Sequence, residues 1–238
     1  MEFGHSLVII AVLTLSLLRY KTGSLCLACT KHGNKIMSFI IGAAIMLIFL
    51  HLLSVVYFEI GSLHPFLILL LPIGFCTFLF IEQHVQHHKR KDIQTEEART
   101  VHLVLSAITG ILVGFALIQN TQSSLVDGIL LIFVFVLYDL IDTITLHSLH
   151  HRKEVVSMKH KLRRVLFSLA PVYGYVIGLL INIPRVIHFG IVAFLTGIIL
   201  HAIFREIIPE EKRILPLYFS IGVLFFVGLF FLDAFLVS

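Results

Sequence analysis

All but one of the 18 Lys and Arg residues fall in alternate gaps between eight apolar runs. The runs are Phe3–Leu18, Ile36–Tyr57, Pro65–Ile81, Val101–Ile118, Ile129–Leu149, Val165–Ile181, Val186–Phe204 and Leu215–Leu236. Arg19, Lys21, Lys31 and Lys35 follow the first run; Lys89, Arg90, Lys91 and Arg99 follow the third. Arg152, Lys153, Lys159, Lys161, Arg163 and Arg164 follow the fifth, and Arg205, Lys212 and Arg213 follow the seventh. Arg185 alone lies in the other set of gaps. A helix needs roughly 20 apolar residues to cross a bilayer, and cytoplasmic loops retain Lys and Arg. The pattern predicts an all-α, polytopic membrane protein. It is an eight-transmembrane-helix bundle with the odd gaps in the cytoplasm and both termini extracytoplasmic.

Composition agrees. Hydrophobic residues make up 58% of the chain and charged residues 13%, where a soluble domain carries about 25%. Mean hydropathy is +1.00. No stretch is polar enough for a soluble domain, so residues 1–238 read as a single transmembrane domain in the plasma or inner membrane. The first run is not expected to be a signal peptide. Arg19 and Lys21 follow it, nothing basic precedes it, and no small-residue cleavage site is evident. The net charge of +4 does not point to nucleic acid. The basic residues flank spans, where they set topology and meet anionic headgroups. The lipid bilayer is the expected partner. Cys26 and Cys29 form a lone Cys-x-x-Cys in a cytoplasmic gap, which reads as two reduced loop thiols.

Ionisable groups inside spans are costly and mark functional sites. Span five carries Tyr138-Asp139-Leu140-Ile141-Asp142. Asp139 and Asp142, at i and i+3, share one helical face. Two carboxylates in hydrocarbon repel unless a cation or a proton resolves the conflict, and carboxylates ligate divalent metals. The other reading is a pair of protonated or hydrogen-bonded acids along a helix seam, with Thr143 and Thr145. His51, deep in span two, is either a ligand or proton relay or a hydrogen-bond donor to a neighbouring helix. His102 stands near the start of span four, followed by Ser106 and Thr109. His201, Arg205 and Glu206 at the end of span seven read as an ion pair, with Arg205 snorkelling to the cytoplasm. Two histidine groups at cytoplasmic ends are candidates for metal capture: His84, His87 and His88, then His147, His150 and His151. Gly110 with Gly114, and Gly174 with Gly178, are G-x-x-x-G pairs that permit close helix approach in lipid.

Eight spans, outside termini and a His-rich loop after span three resemble the ZIP family of zinc- and iron-regulated transporter-like proteins. Several fragments carry the likeness. Span two has Phe39, Gly42 and Phe49-Leu50-His51-Leu52-Leu53; span three closes on Phe80-Ile81-Glu82 before its His tract. Span four has Thr109-Gly110 and Gly114; span seven has Phe194-Leu195, Gly197 and Glu206-Ile207-Ile208-Pro209-Glu210. The resemblance covers most of the chain. It implies a metal centre in helices four and five, supported by six, and a homodimer, since dimers are usual in that family. The chain departs from the pattern at the centre itself. Where the fourth helix normally offers His-Asn-x-x-Asp/Glu-Gly, Leu105, Ser106 and Thr109 stand before Gly110, with His102 one turn earlier. Where the fifth offers His-Glu-x-Pro-His/Glu, only Asp139 and Asp142 are acidic, and Ala170 replaces the Glu before Pro171.

The resemblance therefore implies transport of zinc or another divalent cation through a reduced site, with Asp139 and Asp142 as core ligands. His102, Ser106, Thr109 and His51 are further candidates. The metal is the substrate, and no permanently bound cofactor is expected. The alternative is a non-transporting relative, a membrane scaffold or sensor that has lost the binuclear site. An enzyme is not expected, because no nucleophile or His-rich metal box sits at matched depth.

Overall fold

The computed structural model describes residues 2–22, 33–87, 94–123, 125–148, 165–181, 183–207 and 214–237. Among these residues there is no β-strand. The helices are α1 (Glu2–Thr22), α2 (Gly33–Leu47), α3 (Leu53–Leu63), α4 (Leu70–His87), α5 (Gln94–Ser123), α6 (Leu125–Ser148), α7 (Ala170–Leu180), α8 (Arg185–Ile207) and α9 (Pro216–Val237). A π-helical stretch, Ile48–Leu52, joins α2 to α3, and a 3₁₀ stretch, Pro65–Leu69, leads into α4.

Proline sets several boundaries. The residue before a proline is driven out of the α region. His64, before Pro65, accordingly sits at φ −158°, ψ 113°, and there α3 has ended. Pro171 lies in the first turn of α7, where its missing N–H costs nothing. The N–H of Leu215, just before α9, donates to Ser38 Oγ on α2 at 2.9 Å, and that hydroxyl donates to the Asn34 carbonyl at 2.7 Å. Ser38→Ala would remove the side-chain partner of a part-buried backbone donor, at a cost of about 1 kcal/mol. Melting temperatures of the two purified proteins check this; equal values would mean that water serves the donor as well.

Among the described residues, three stretches are long and apolar enough to cross a membrane: Gly33–Phe58, Pro65–Gln83 and Arg185–Arg205. Shorter apolar helices cover Val8–Tyr20, Leu103–Gln119, Gly128–Ile141, Ala170–Leu180 and Pro216–Gly228. Their outward faces carry exposed Phe58, Phe66, Phe80, Leu180, Leu217 and Leu224. Apolar surface on this scale fits a lipid surround and not water.

Three helix pairs make one and the same contact. In α2–α9, Gly42 meets the Phe219 carbonyl and Gly222 meets the Phe39 carbonyl. In α4–α8, Gly74 meets the Phe194 carbonyl and Gly197 the Leu71 carbonyl. In α5–α7, Gly114 meets the Pro171 carbonyl and Gly174 the Ile111 carbonyl. Each glycine thus faces the carbonyl three residues before its partner glycine. Without hydrophobic drive between helices in lipid, such backbone approach supplies the packing energy. The pairs run parallel. In α4–α8, Phe75 packs on His201 and Glu82 reaches Arg205, so residue numbers rise together.

The pairs are nested around α6: α5 with α7, α4 with α8, α2 with α9. Two groups result. The first is α1, α5, α6 and α7; the second is α2–α3, α4, α8 and α9. Helices α5 and α6 join them: α6 packs on α1 and α5 on one side and on α2 and α8 on the other, and α5 packs directly on α4 and α8. Leu15, Ile41, Ile48, Leu117, Phe135, Ile141 and Ile198 fill the core across that joint.

Candidate intramembrane ion site

The first helix is longer than its apolar run. It continues through Arg19 to Thr22, and this places Arg19 against the bundle and not in a loop. Asp139 lies on the buried face of α6, between Tyr138 and Ile141. The two side chains meet. Arg19 Nε donates to Asp139 Oδ1 at 2.9 Å and to Oδ2 at 3.0 Å, and Nη2 donates to Oδ1. The third nitrogen, Nη1, donates to the Ser106 carbonyl of α5 at 2.9 Å. Relative exposures are 8% for the Arg19 side chain and 3% for Asp139, so neither charge is solvated and each depends on the other.

The surroundings fit a guanidinium closely. A Cβ placed on Gly110 would strike Arg19 Nη1 and lie 3.0 Å from the Ala170 Cβ of α7. Glycine at 110 and alanine at 170 therefore leave the room that the guanidinium occupies. The resemblance assigned the metal centre to helices four, five and six. At those positions stand Ser106 with Gly110, Asp139 and Ala170, and they converge on Arg19. Sequence reasoning missed Arg19. The signal for it was its spacing: Ser16 and Arg19 continue the buried face of Val8, Val12 and Leu15 by one turn.

The other candidates are placed as follows. Thr109 is fully buried, and its hydroxyl donates to the Leu105 carbonyl of its own helix at 2.9 Å. Ser106 contributes its backbone carbonyl. His51 is buried in the π-helical stretch, which packs on α6 and α8. A π-turn widens the helix locally and is frequent at functional sites. The backbones of His102 and Asp142 lie on α5 and α6, about one turn from Ser106 and Asp139; their side chains fall outside the described ones. The same holds for His84, His87 and His147, while His88, His150 and His151 lie outside the described residues altogether, as do Cys26 and Cys29. Among the described residues, no three His, Cys, Asp or Glu side chains converge.

A second polar cluster joins α4 to α8. Arg205 Nη1 lies 3.5 Å from both Glu82 oxygens, and His201 Nε2 lies 3.5 Å from Glu82 Oε2. The edges of Phe75 and Phe78 flank the His201 ring at 5.5 Å and 6.4 Å. Arg205 takes Glu82 as a partner, which the sequence reading did not foresee; the Glu206 side chain expected to pair there lies outside the described ones. At 3.5 Å these are long contacts, and the cluster reads as a helix-to-helix tie.

Comparison with family models, curated proteins and solved structures found no match to this chain.

Proposed function

We propose that this chain is an eight-span membrane protein of ZIP-like helix order, with both termini outside the cytoplasm, in which a fixed guanidinium stands where a carried cation would sit. On this reading it is a non-transporting membrane component, a scaffold or sensor. One observation carries the reading: the Asp139 carboxylate is already neutralised, in the core, by Arg19. A buried carboxylate requires one compensating positive charge. A divalent ion arriving beside Arg19 would set three positive charges against Asp139 at close range, where the dielectric is low and repulsion is large.

The test is uptake into proteoliposomes of purified full-length protein, with Zn²⁺, Mn²⁺, Fe²⁺ and Cd²⁺ offered in turn. Folded wild type is expected to match protein-free liposomes for every ion. Uptake that Asp139→Asn abolishes would sink this reading and establish the second one.

That second reading is divalent cation transport with Arg19 leaving its seat during the cycle. It is favoured by the position of Asp139, which is buried on a helix that touches both helix groups and is linked to the Ser106 carbonyl of span four by the Arg19 guanidinium they share. Asp142 follows about one turn later on the same helix.

A further inference from the structure

The centre of the bundle is a planar, three-sided seat. One side is the Asp139 carboxylate, taking Nε and Nη2 of Arg19 in a fork. The second is the Ser106 carbonyl, taking Nη1. The third is the notch left by Gly110 beside Ala170. A guanidinium offers five N–H donors in one rigid plane, which suits a carboxylate fork. An ammonium is a compact, strongly hydrated point charge that cannot span the fork and the carbonyl together. A divalent metal prefers several anionic or imidazole ligands, and among the described side chains the seat offers one carboxylate with one carbonyl, a poor set for it.

We infer that this centre is a guanidinium site. It is selective for a planar, forked monocation, is filled by Arg19 in the intact protein, and accepts a free guanidinium-type cation when that side chain is removed. The inference rests on the reading that Arg19 is the resident cation of this centre, and it names the ligand class the seat takes. The carboxylate and the carbonyl supply the acceptors, the missing Cβ at 110 supplies the space, and the surrounding apolar core raises the cost of leaving Asp139 unpaired.

The experiment is chemical rescue of full-length Arg19→Ala in detergent, read as the melting temperature at which monodisperse protein is lost. Arg19→Ala is expected to melt about 10 °C below wild type, from the loss of one partner of a buried pair. Methylguanidinium at millimolar concentration should recover at least half of that shift. Methylammonium and sodium chloride at equal ionic strength should recover none. Asp139→Asn placed on Arg19→Ala should remove the rescue, and Gly110→Val on Arg19→Ala should weaken it by filling the notch. Equal recovery by methylammonium and methylguanidinium would overturn the inference, as would greater stabilisation by Zn²⁺ or Mn²⁺. Should Arg19→Ala not fold, Arg19→Lys decides. It keeps the charge and loses the fork, so it should melt well below wild type, and a wild-type melting temperature would overturn the site. Failure here is distinct from failure of the non-transport reading. Metal uptake by wild type sinks that reading whatever the rescue shows, and absent rescue sinks the guanidinium site whatever the uptake shows.

Discussion

Asp139→Leu should destabilise the protein by about 3–5 kcal/mol, the cost of leaving a buried cation without its partner. Arg19→Met alone should cost a similar amount, because the buried Asp139 carboxylate then loses the guanidinium that forks onto it. The double substitution should be far milder than the sum, since an apolar pair of similar volume meets no desolvation penalty. A double-mutant cycle on melting temperature, with all four proteins in one detergent, reads the coupling directly. Strongly non-additive single effects are expected. Two mild, additive single effects would mean that the pair is hydrated and carries little of the fold. The cycle also bears on function. If the double apolar variant folds well, the charge pair is dispensable for stability, and its place in the core needs another reason, such as a ligand role at Asp139.

The sequence made half of this centre visible. Asp139 was legible because a carboxylate in an apolar run has no cheap explanation in lipid. Its partner was not. Arg19 stands one residue past the apolar run, beside Lys21, and counting cations at span ends assigned it to the interface. That count is blind to the last turn of a helix, which can carry a long basic side chain inward. The distance in sequence is also large, 120 positions, and no local pattern links span one to span five. Much of the helical frame was readable. Each of the eight apolar runs overlaps helix, with ends displaced by a few residues. The π-turn around His51 was not read; it depends on tertiary packing and leaves no periodic trace. The interruption at Leu169 before α7 is local, set by Pro171 in the first turn. The two G-x-x-x-G pairs were read as close-packing sites. Chain text alone did not reveal that they face each other, Gly114 against the α7 backbone and Gly174 against the α5 backbone.

Substitution at the paired glycines should give a graded series that tests the nested packing. At Gly114 and Gly174 an added Cβ meets backbone carbonyls, which cannot rotate away. Alanine there forces the α5–α7 axes apart along the whole seam, and overpacking of a tight core costs about 1–3 kcal/mol even before the lost contacts are counted. Leucine at either site should abolish monodisperse protein. Gly42 with Gly222 and Gly74 with Gly197 face carbonyls in the same manner and should behave alike. At Gly178 the obstruction is the Ile118 side chain, which can change rotamer, so alanine should be milder. At Gly228 nothing lies within 4 Å, and alanine should be neutral or slightly stabilising through helix propensity. Thermal stability across Gly174→Ala, Gly178→Ala and Gly228→Ala should rise in that order, with the first lowest. A flat series would refute the pairing. A series in which only the α5–α7 glycines matter would confine the tight contact to the group holding Arg19 and Asp139, leaving α4–α8 and α2–α9 free to slide. Melting temperatures of alanine variants at Gly114 and Gly174, set against those at Gly42, Gly74, Gly197 and Gly222, therefore report which helix pairs are rigid, and a membrane protein that works by moving one group against the other needs that difference.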